Sequence, residues 1–191
     1  MNAFAFLKHY ISKPGEVGSI TPSSSTLANV MTEKACVSSA SSVLELGPGT
    51  GAITRCIEAH RSDTSEFLAI EMNSAFVGLL RGSFPQVTIV QGSAADSAKH
   101  LRDAGMASCD SIVSSLPFAS FDGETQDAIL SEVLDVLSVD GRFVTFTYVP
   151  TRYLPAGRML REKLFQRFGR VEVAPIVWKS LPPAYVYCAV K

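Results

Sequence analysis

The chain has 191 residues, 47% of them hydrophobic and 18% charged, with a formal net charge of −1. That length and apolar content support one substantial core and exclude a disordered chain. No apolar run is long enough to span a bilayer, the amino terminus lacks the pattern of a secretory signal, and four cysteines (Cys36, Cys56, Cys109, Cys188) without metal-ligand spacing point to reduced thiols and no metal site.

Residues 2–11 set Phe4, Phe6, Leu7, Tyr10 and Ile11 beside Lys8, His9 and Lys13, the mixture of an interfacial helix. Thr21 is placed to cap a second helix, with Pro22 at its first position and Leu27, Val30 and Met31 on its apolar face. Residues 43–46 form an apolar strand interrupted by Glu45; Gly47, Gly49 and Gly51 follow at alternate positions, and a helical pattern resumes at 52–57. A second strand at 66–71 ends in Glu71, and a helix at 73–83 is broken by Pro85. The third strand, 87–90, leads into Gly92-Ser93-Ala94-Ala95-Asp96, and the fourth, 110–113, into Ser114-Ser115-Leu116-Pro117-Phe118. Residues 124–137 carry a helical stripe of Ile129, Leu130, Val133, Leu134 and Leu137, with Asp122 as its cap. The turn Asp140-Gly141 opens a fifth strand at 143–148; a helix at 158–168 and a closing hairpin at 171–178 and 184–190 complete the chain. Strands alternating with helices predict an open α/β sheet.

Alternate glycines after a buried strand let the chain turn sharply and let a ligand lie against backbone N–H groups. In α/β sheets that crevice opens outside the carboxyl ends of the strands. Glu71, 20 residues after Gly51, stands at the neighbouring strand end, where a carboxylate can receive both hydroxyls of a ribose. Glu45 with the G-x-G-x-G run resembles motif I of the class I S-adenosylmethionine-dependent methyltransferases. The resemblance implies a Rossmann-like seven-stranded sheet, mostly parallel with an antiparallel last strand and helices on both faces. It also implies S-adenosylmethionine as cofactor, with Glu45 anchoring its methionine part and Gly47, Gly49 and Gly51 passing beneath it. Glu71, Met72, Gly92, Ser93, Ala94 and Ser114 complete the expected cofactor contacts. Ser93 departs from the acid common at this position, and its hydroxyl is left to meet the adenine amine. At motif IV, N6-adenine methyltransferases carry Asn or Asp where this chain has Ser115. An aliphatic amine, already nucleophilic once deprotonated, needs less help than a nucleobase amine.

Gly18-Ser19-Ile20-Thr21-Pro22-Ser23-Ser24, the glycine motif, Ser114-Ser115-Leu116-Pro117 and Leu181-Pro182-Pro183-Ala184 occur in that order. Together they resemble the bacterial phospholipid N-methyltransferases over nearly the whole chain. The resemblance implies one domain, 1–191, with N-terminal helices (1–35) covering the active site and contacting membrane, and a Rossmann-like core (36–191). It implies direct in-line methyl transfer to a lipid amine, phosphatidylethanolamine first, at the cytoplasmic inner face of the membrane. Phosphatidylethanolamine, its partly methylated forms and an ornithine lipid all stay open as acceptors. Ser115, Tyr10, His9 and Tyr148 are the candidates on the acceptor side; His60 and His100 fall in helices away from the strand ends. From residue 151 onward eight basic residues face two acids, a net +6 that leaves −7 on the rest, a polarity suited to an anionic membrane surface. No nucleic-acid partner is expected. The alternatives are an rRNA adenine N6-dimethyltransferase-like enzyme, which calls for Asn at position 115 and a C-terminal helical domain, and a catalytically inactive cofactor-binding protein at the membrane.

Overall fold

The structure, a computed structural model, describes residues 22–191. The expectations for residues 2–11, including His9 and Tyr10, and for Thr21 as a cap lie outside the described residues.

The elements are α1 (Pro22–Lys34), β1 (Ser42–Leu46), α2 (Ala52–His60), β2 (Glu66–Glu71), α3 (Ser74–Ser83), β3 (Thr88–Gln91), α4 (Ser97–Asp103), β4 (Cys109–Ser114), α5 (Gly123–Val136), β5 (Leu137–Tyr148), α6 (Val149–Arg152), α7 (Pro155–Arg167), β6 (Arg170–Val173) and β7 (Ala184–Val190). The strands form one seven-stranded sheet in the order β3-β2-β1-β4-β5-β7-β6. The pairs from β3 across to β5 are parallel, and β7 runs antiparallel to both β5 and β6. This is the seven-stranded α/β arrangement expected from the sequence, with helices on both faces.

Side chains alternate across a pleated strand, so each strand feeds two cores. Val43, Ala69, Val113 and Val144 face α1, α2 and α3, where Leu27, Met31, Ile57, Val77 and Leu80 cover them. Leu44, Leu68, Ile112 and Phe143 face the other way, toward Leu101 of α4, Ile129, Leu130 and Val133 of α5, and Leu160 and Leu164 of α7. All five residues of β1 are buried, as a central strand covered on both faces requires. The Asp122 carboxylate caps α5 by accepting from the Thr125 N–H at 2.8 Å. Asn73 caps α3 in the same way, accepting from Ala75 N–H at 2.9 Å, so it precedes the helix rather than opening it.

Helix α4 carries His100, as expected, and buries Ser97, Ala98 and Leu101. Two differences from the sequence reading have local causes. The turn expected at Asp140-Gly141 is absorbed into β5: Asp140 adopts φ 61°, and the register against β4 shifts between Cys109 and Ser111. Strand β6 ends at Val173, after which a single bridge, Val177 to Ala184, keeps the following segment beside β7.

Gly51 opens α2 at φ +86°, and a Cβ there would lie 2.6 Å from Phe84 Cε2 and 3.0 Å from Leu80 Cδ2. Gly51→Ala combines left-handed strain with overpacking, so we expect a loss of about 2–4 kcal/mol in urea unfolding. Gly82→Ala, in the interior of α3 with open space around the added methyl, serves as the tolerated control.

Candidate active site

Backbone hydrogen bonds carry the parallel ladder just past the carboxyl ends of the strands. Gly47 N–H donates to Ile70 O (2.9 Å), Ser115 N–H to Leu46 O (2.9 Å) and Gly92 N–H to Glu71 O (3.0 Å). The glycine turn, Glu71, Gly92 and Ser115 thereby stand together at one end of the sheet. Gly47, Gly49 and Gly51 all have positive φ (70°, 57° and 86°), so the alternate glycines meet a conformational demand. A Cβ on Gly47 would meet Leu116 Cδ2 at 2.7 Å, whereas the space beside Gly49 is open.

Glu71 is buried, and its carboxylate binds the turn directly: Oε2 accepts from Gly49 N–H (3.0 Å) and Oε1 from Asn73 N–H (2.8 Å). Each oxygen keeps a second lone pair for a hydroxyl donor. Met72, 68% exposed, follows at the rim and offers apolar surface to a flat ring. Ser93 is half-buried and its Oγ accepts from Ala95 N–H at 3.1 Å, capping a short turn over Ala94–Asp96. Ser114 is fully buried, and its hydroxyl accepts from Leu116 N–H at 3.3 Å. Ser115 and Tyr148 are half-buried at the ends of the adjacent strands β4 and β5; the Tyr148 ring meets Phe146 edge-on at 5.2 Å.

Glu45 is fully buried in β1. Thr54, in the first turn of α2, donates to its Oε2 at 2.7 Å, while Oε1 has no partner among the described residues. Burial pushes the carboxyl up to about 8 against the Thr54 hydrogen bond, and the Glu71 charge adds to the rise. An unpartnered carboxylate oxygen beneath an open glycine turn fits a cationic ligand whose charge would favour ionisation. The acid, the turn and the diol-ready Glu71 therefore suit S-adenosylmethionine, which is cationic at sulfur and carries a ribose.

Sequence reasoning missed three partners. Thr54 was legible as the third residue of the helix that the glycines start, facing back to the strand. Leu116 seals the turn over Gly47. His100, assigned to a helix away from the strand ends, packs its ring on Gly92, where an added Cβ would overlap it, and its Nε2 is buried without a partner among the described residues. Nothing in the spacing of α4 announces that contact. His60 keeps to α2, its Nδ1 2.8 Å from Cys56 O.

The sequence model of a family described as "Methyltransferase domain" matches residues 44–145, from β1 to the middle of β5. The chain belongs to this family. It is a class I S-adenosylmethionine-dependent methyltransferase. A relative from Singulisphaera acidiphila, named ornithine lipid N-methyltransferase, is 29% identical over 187 residues, covering 96% of this chain and 93% of the relative. Among solved structures, the O-methyltransferase from Bacillus cereus in complex with S-adenosylhomocysteine is 15% identical with TM-score 0.70, covering 98% of this chain and 88% of that one. The N-methyltransferase NodS from Bradyrhizobium japonicum is 12% identical with TM-score 0.70, covering 100% of this chain and 99% of that one. These two share the fold.

Folding raises the Glu45 carboxyl above its ordinary 4.5, so its contribution to stability is full at acidic pH and is lost as pH rises from about 4.5 to about 8. Without cofactor, Glu45→Gln is expected to gain on the order of several kcal/mol over the native enzyme at pH 8, with no gain at pH 4. The same variant is expected to bind S-adenosylmethionine more weakly and to lose the tightening with pH that ionisation of Glu45 confers; calorimetric titrations across that range check both. Glu71→Ala is expected to weaken binding by at least tenfold and Ser93→Ala by less, since Glu71 also orders the turn through Gly49; equal losses in the titration would count against the assignment of Glu71 to the ribose.

Proposed function

We propose that this methyltransferase acts on the amine of a lipid headgroup. The observation that carries the reading is the end-to-end likeness to a protein named as an ornithine lipid N-methyltransferase. The strand-end chemistry agrees with it. Ser115-Leu116-Pro117-Phe118 offers a hydroxyl where a nucleobase amine would need a carboxamide or carboxylate, and an aliphatic amine needs neither. Phosphatidylethanolamine and ornithine lipids both present such an amine; phosphatidylethanolamine is the first acceptor proposed from the sequence, and the relative's name brings the ornithine headgroup beside it.

Bound S-adenosylmethionine supplies a methyl group made electrophilic by its sulfonium, for a neutral amine to take up in line with the departing sulfur. In this assignment Glu45 and the glycine turn hold the amino-acid end of the cofactor, Glu71 its ribose, and Met72, Gly92, Ser93 and Ala94 its adenine. Ser115 orients the acceptor amine at the end of β4, and Tyr148 lines the same side. Their contribution is positioning, which supplies a large share of the barrier lowering in such a transfer. The incoming ammonium must shed a proton, and desolvation beside a sulfonium favours its neutral form. Among the described residues no helix is long and apolar enough to cross a membrane. On the resemblance read from the sequence, the proposal places the enzyme peripherally, at the cytoplasmic face of an anionic bilayer.

Labelled S-adenosylmethionine is to be incubated with vesicles holding phosphatidylethanolamine or an ornithine lipid, and the products separated. Label in a methylated lipid is the expected result, and intact cofactor binding with no labelled lipid of either kind would defeat the reading. Ser115→Ala is expected to lower kcat by about tenfold to a hundredfold while leaving cofactor affinity unchanged.

A further inference from the structure

Two loops rise beyond the carboxyl end of β5 and the amino end of β7, at the same end of the sheet as the glycine turn. Residues 149–155 follow β5, and residues 178–183 precede β7. The pairing of Tyr148 with Ala184 and the hydrogen bond from Val149 N–H to Pro183 O (2.8 Å) hold the two loops side by side. They stand on the β4–β5 side of the site, away from the end of β2 where Glu71 sits.

Apart from Lys179, their exposed side chains are apolar. Trp178 is 72% exposed, Leu181 86%, Tyr153 59% and Leu154 43%; these four are half of the large hydrophobic side chains standing in solvent among the described residues. Trp178 also walls an apolar groove of ≈350 Å³ with Val30 and Ile176. A cluster of this kind on a folded domain marks a contact surface rather than a leftover of packing.

Glu33 and Lys34 of α1 line the far wall of that groove, and the charged groups of the two segments themselves carry one sign. Residues 149–161 hold Arg152, Arg158 and Arg161, residues 174–184 hold Lys179, and neither segment contains an Asp or Glu. No carboxylate pairs with any of these cations among the described residues. Arg152 instead lies over the Tyr185 ring at 3.9 Å, where it keeps its charge at the loop base.

An exposed Trp and Tyr with aliphatic neighbours, ringed by unpaired cations, match the boundary of an anionic bilayer. The rings settle at headgroup depth and the cations meet lipid phosphates. We infer that the Trp178–Pro183 loop and the Tyr153–Leu154 corner dock the enzyme on an anionic lipid surface, with Arg158 and Lys179 on the headgroups. The inference rests on the lipid-amine reading and sharpens it: docking through these loops turns the acceptor side of the site toward the membrane that holds the substrate.

Trp178 is the only tryptophan in the chain, so its fluorescence reports its own environment. The full-length protein is to be mixed with vesicles of phosphatidylcholine alone, or of equal parts phosphatidylcholine and phosphatidylglycerol. The expected result is a blue shift with the anionic vesicles only, reversed by high salt. Arg158→Glu with Lys179→Glu is expected to cut cosedimentation by about 25-fold, taking each cation as worth about fivefold. Leu181→Ser is expected to weaken it severalfold, and both variants should keep the native melting temperature and affinity for S-adenosylhomocysteine. A blue shift without methylation of any lipid would support the docking surface and sink the lipid-amine reading. Methylation of detergent-dispersed lipid with no shift on anionic vesicles would overturn the docking surface and leave that reading standing. Unchanged cosedimentation of the well-folded charge variant, or a shift produced by RNA and not by vesicles, would also overturn it.

Discussion

The site depends on how the ends of four parallel strands are tied to one another. Gly47, Gly92 and Ser115 each donate a backbone hydrogen bond to the neighbouring strand, so the sheet sets the positions of three loops that have no regular structure of their own. Glu71 adds the tie that matters most, accepting N–H groups from the glycine turn and from the start of α3 with its two oxygens. A buried carboxylate satisfied by backbone donors resists displacement, because losing either donor would leave charge unpaired in a low-dielectric crevice. Phe84, Leu80 and Leu116 occupy the space that side chains at Gly51 and Gly47 would need, so the turn is fixed by packing as well as by hydrogen bonds.

The crevice is electrostatically divided. Its β1–β2 side contains two buried acids, the charge of Glu71 adding to the rise of the Glu45 carboxyl, and Thr54 is the one side-chain donor to Glu45 among the described residues. Such a half is poorly satisfied when empty and favours a cationic guest. Its β5–β7 side is bordered by two loops that carry Arg152 and Lys179 and no acid, with Arg158 and Arg161 following in α7. A methyl donor that is cationic and an acceptor embedded among anionic lipids would each meet the half that suits it. The net charge of −1 conceals this arrangement, because the opposing surpluses nearly cancel.

Much of this was legible in the sequence because the constraints are local. Alternate glycines after an apolar strand mean positive φ in a tight turn, and all three glycines adopt it. The apolar runs of β1 and β2, the cap Asp122 and the proline at the start of α1 are set by neighbours a few residues away. The acids at the ends of β1 and β2 could be assigned because a parallel sheet has one ligand-bearing end. Local signals failed where strain was absorbed into a strand, as at Asp140.

The sequence by itself therefore determined the order of elements, the glycine turn and the standing of two acids at neighbouring strand ends, since each follows from backbone sterics and hydrophobic period over a few residues. Tertiary structure alone decided that Glu45 keeps one oxygen without a partner among the described residues, that Thr54 serves the other, and that the His100 ring fills the space a side chain at Gly92 would need. It also decided that residues 149–155 and 178–183 meet as one apolar surface, because the antiparallel return of β7 brings Ala184 beside Tyr148. Those outcomes depend on contacts between residues far apart in the chain, which no local pattern encodes.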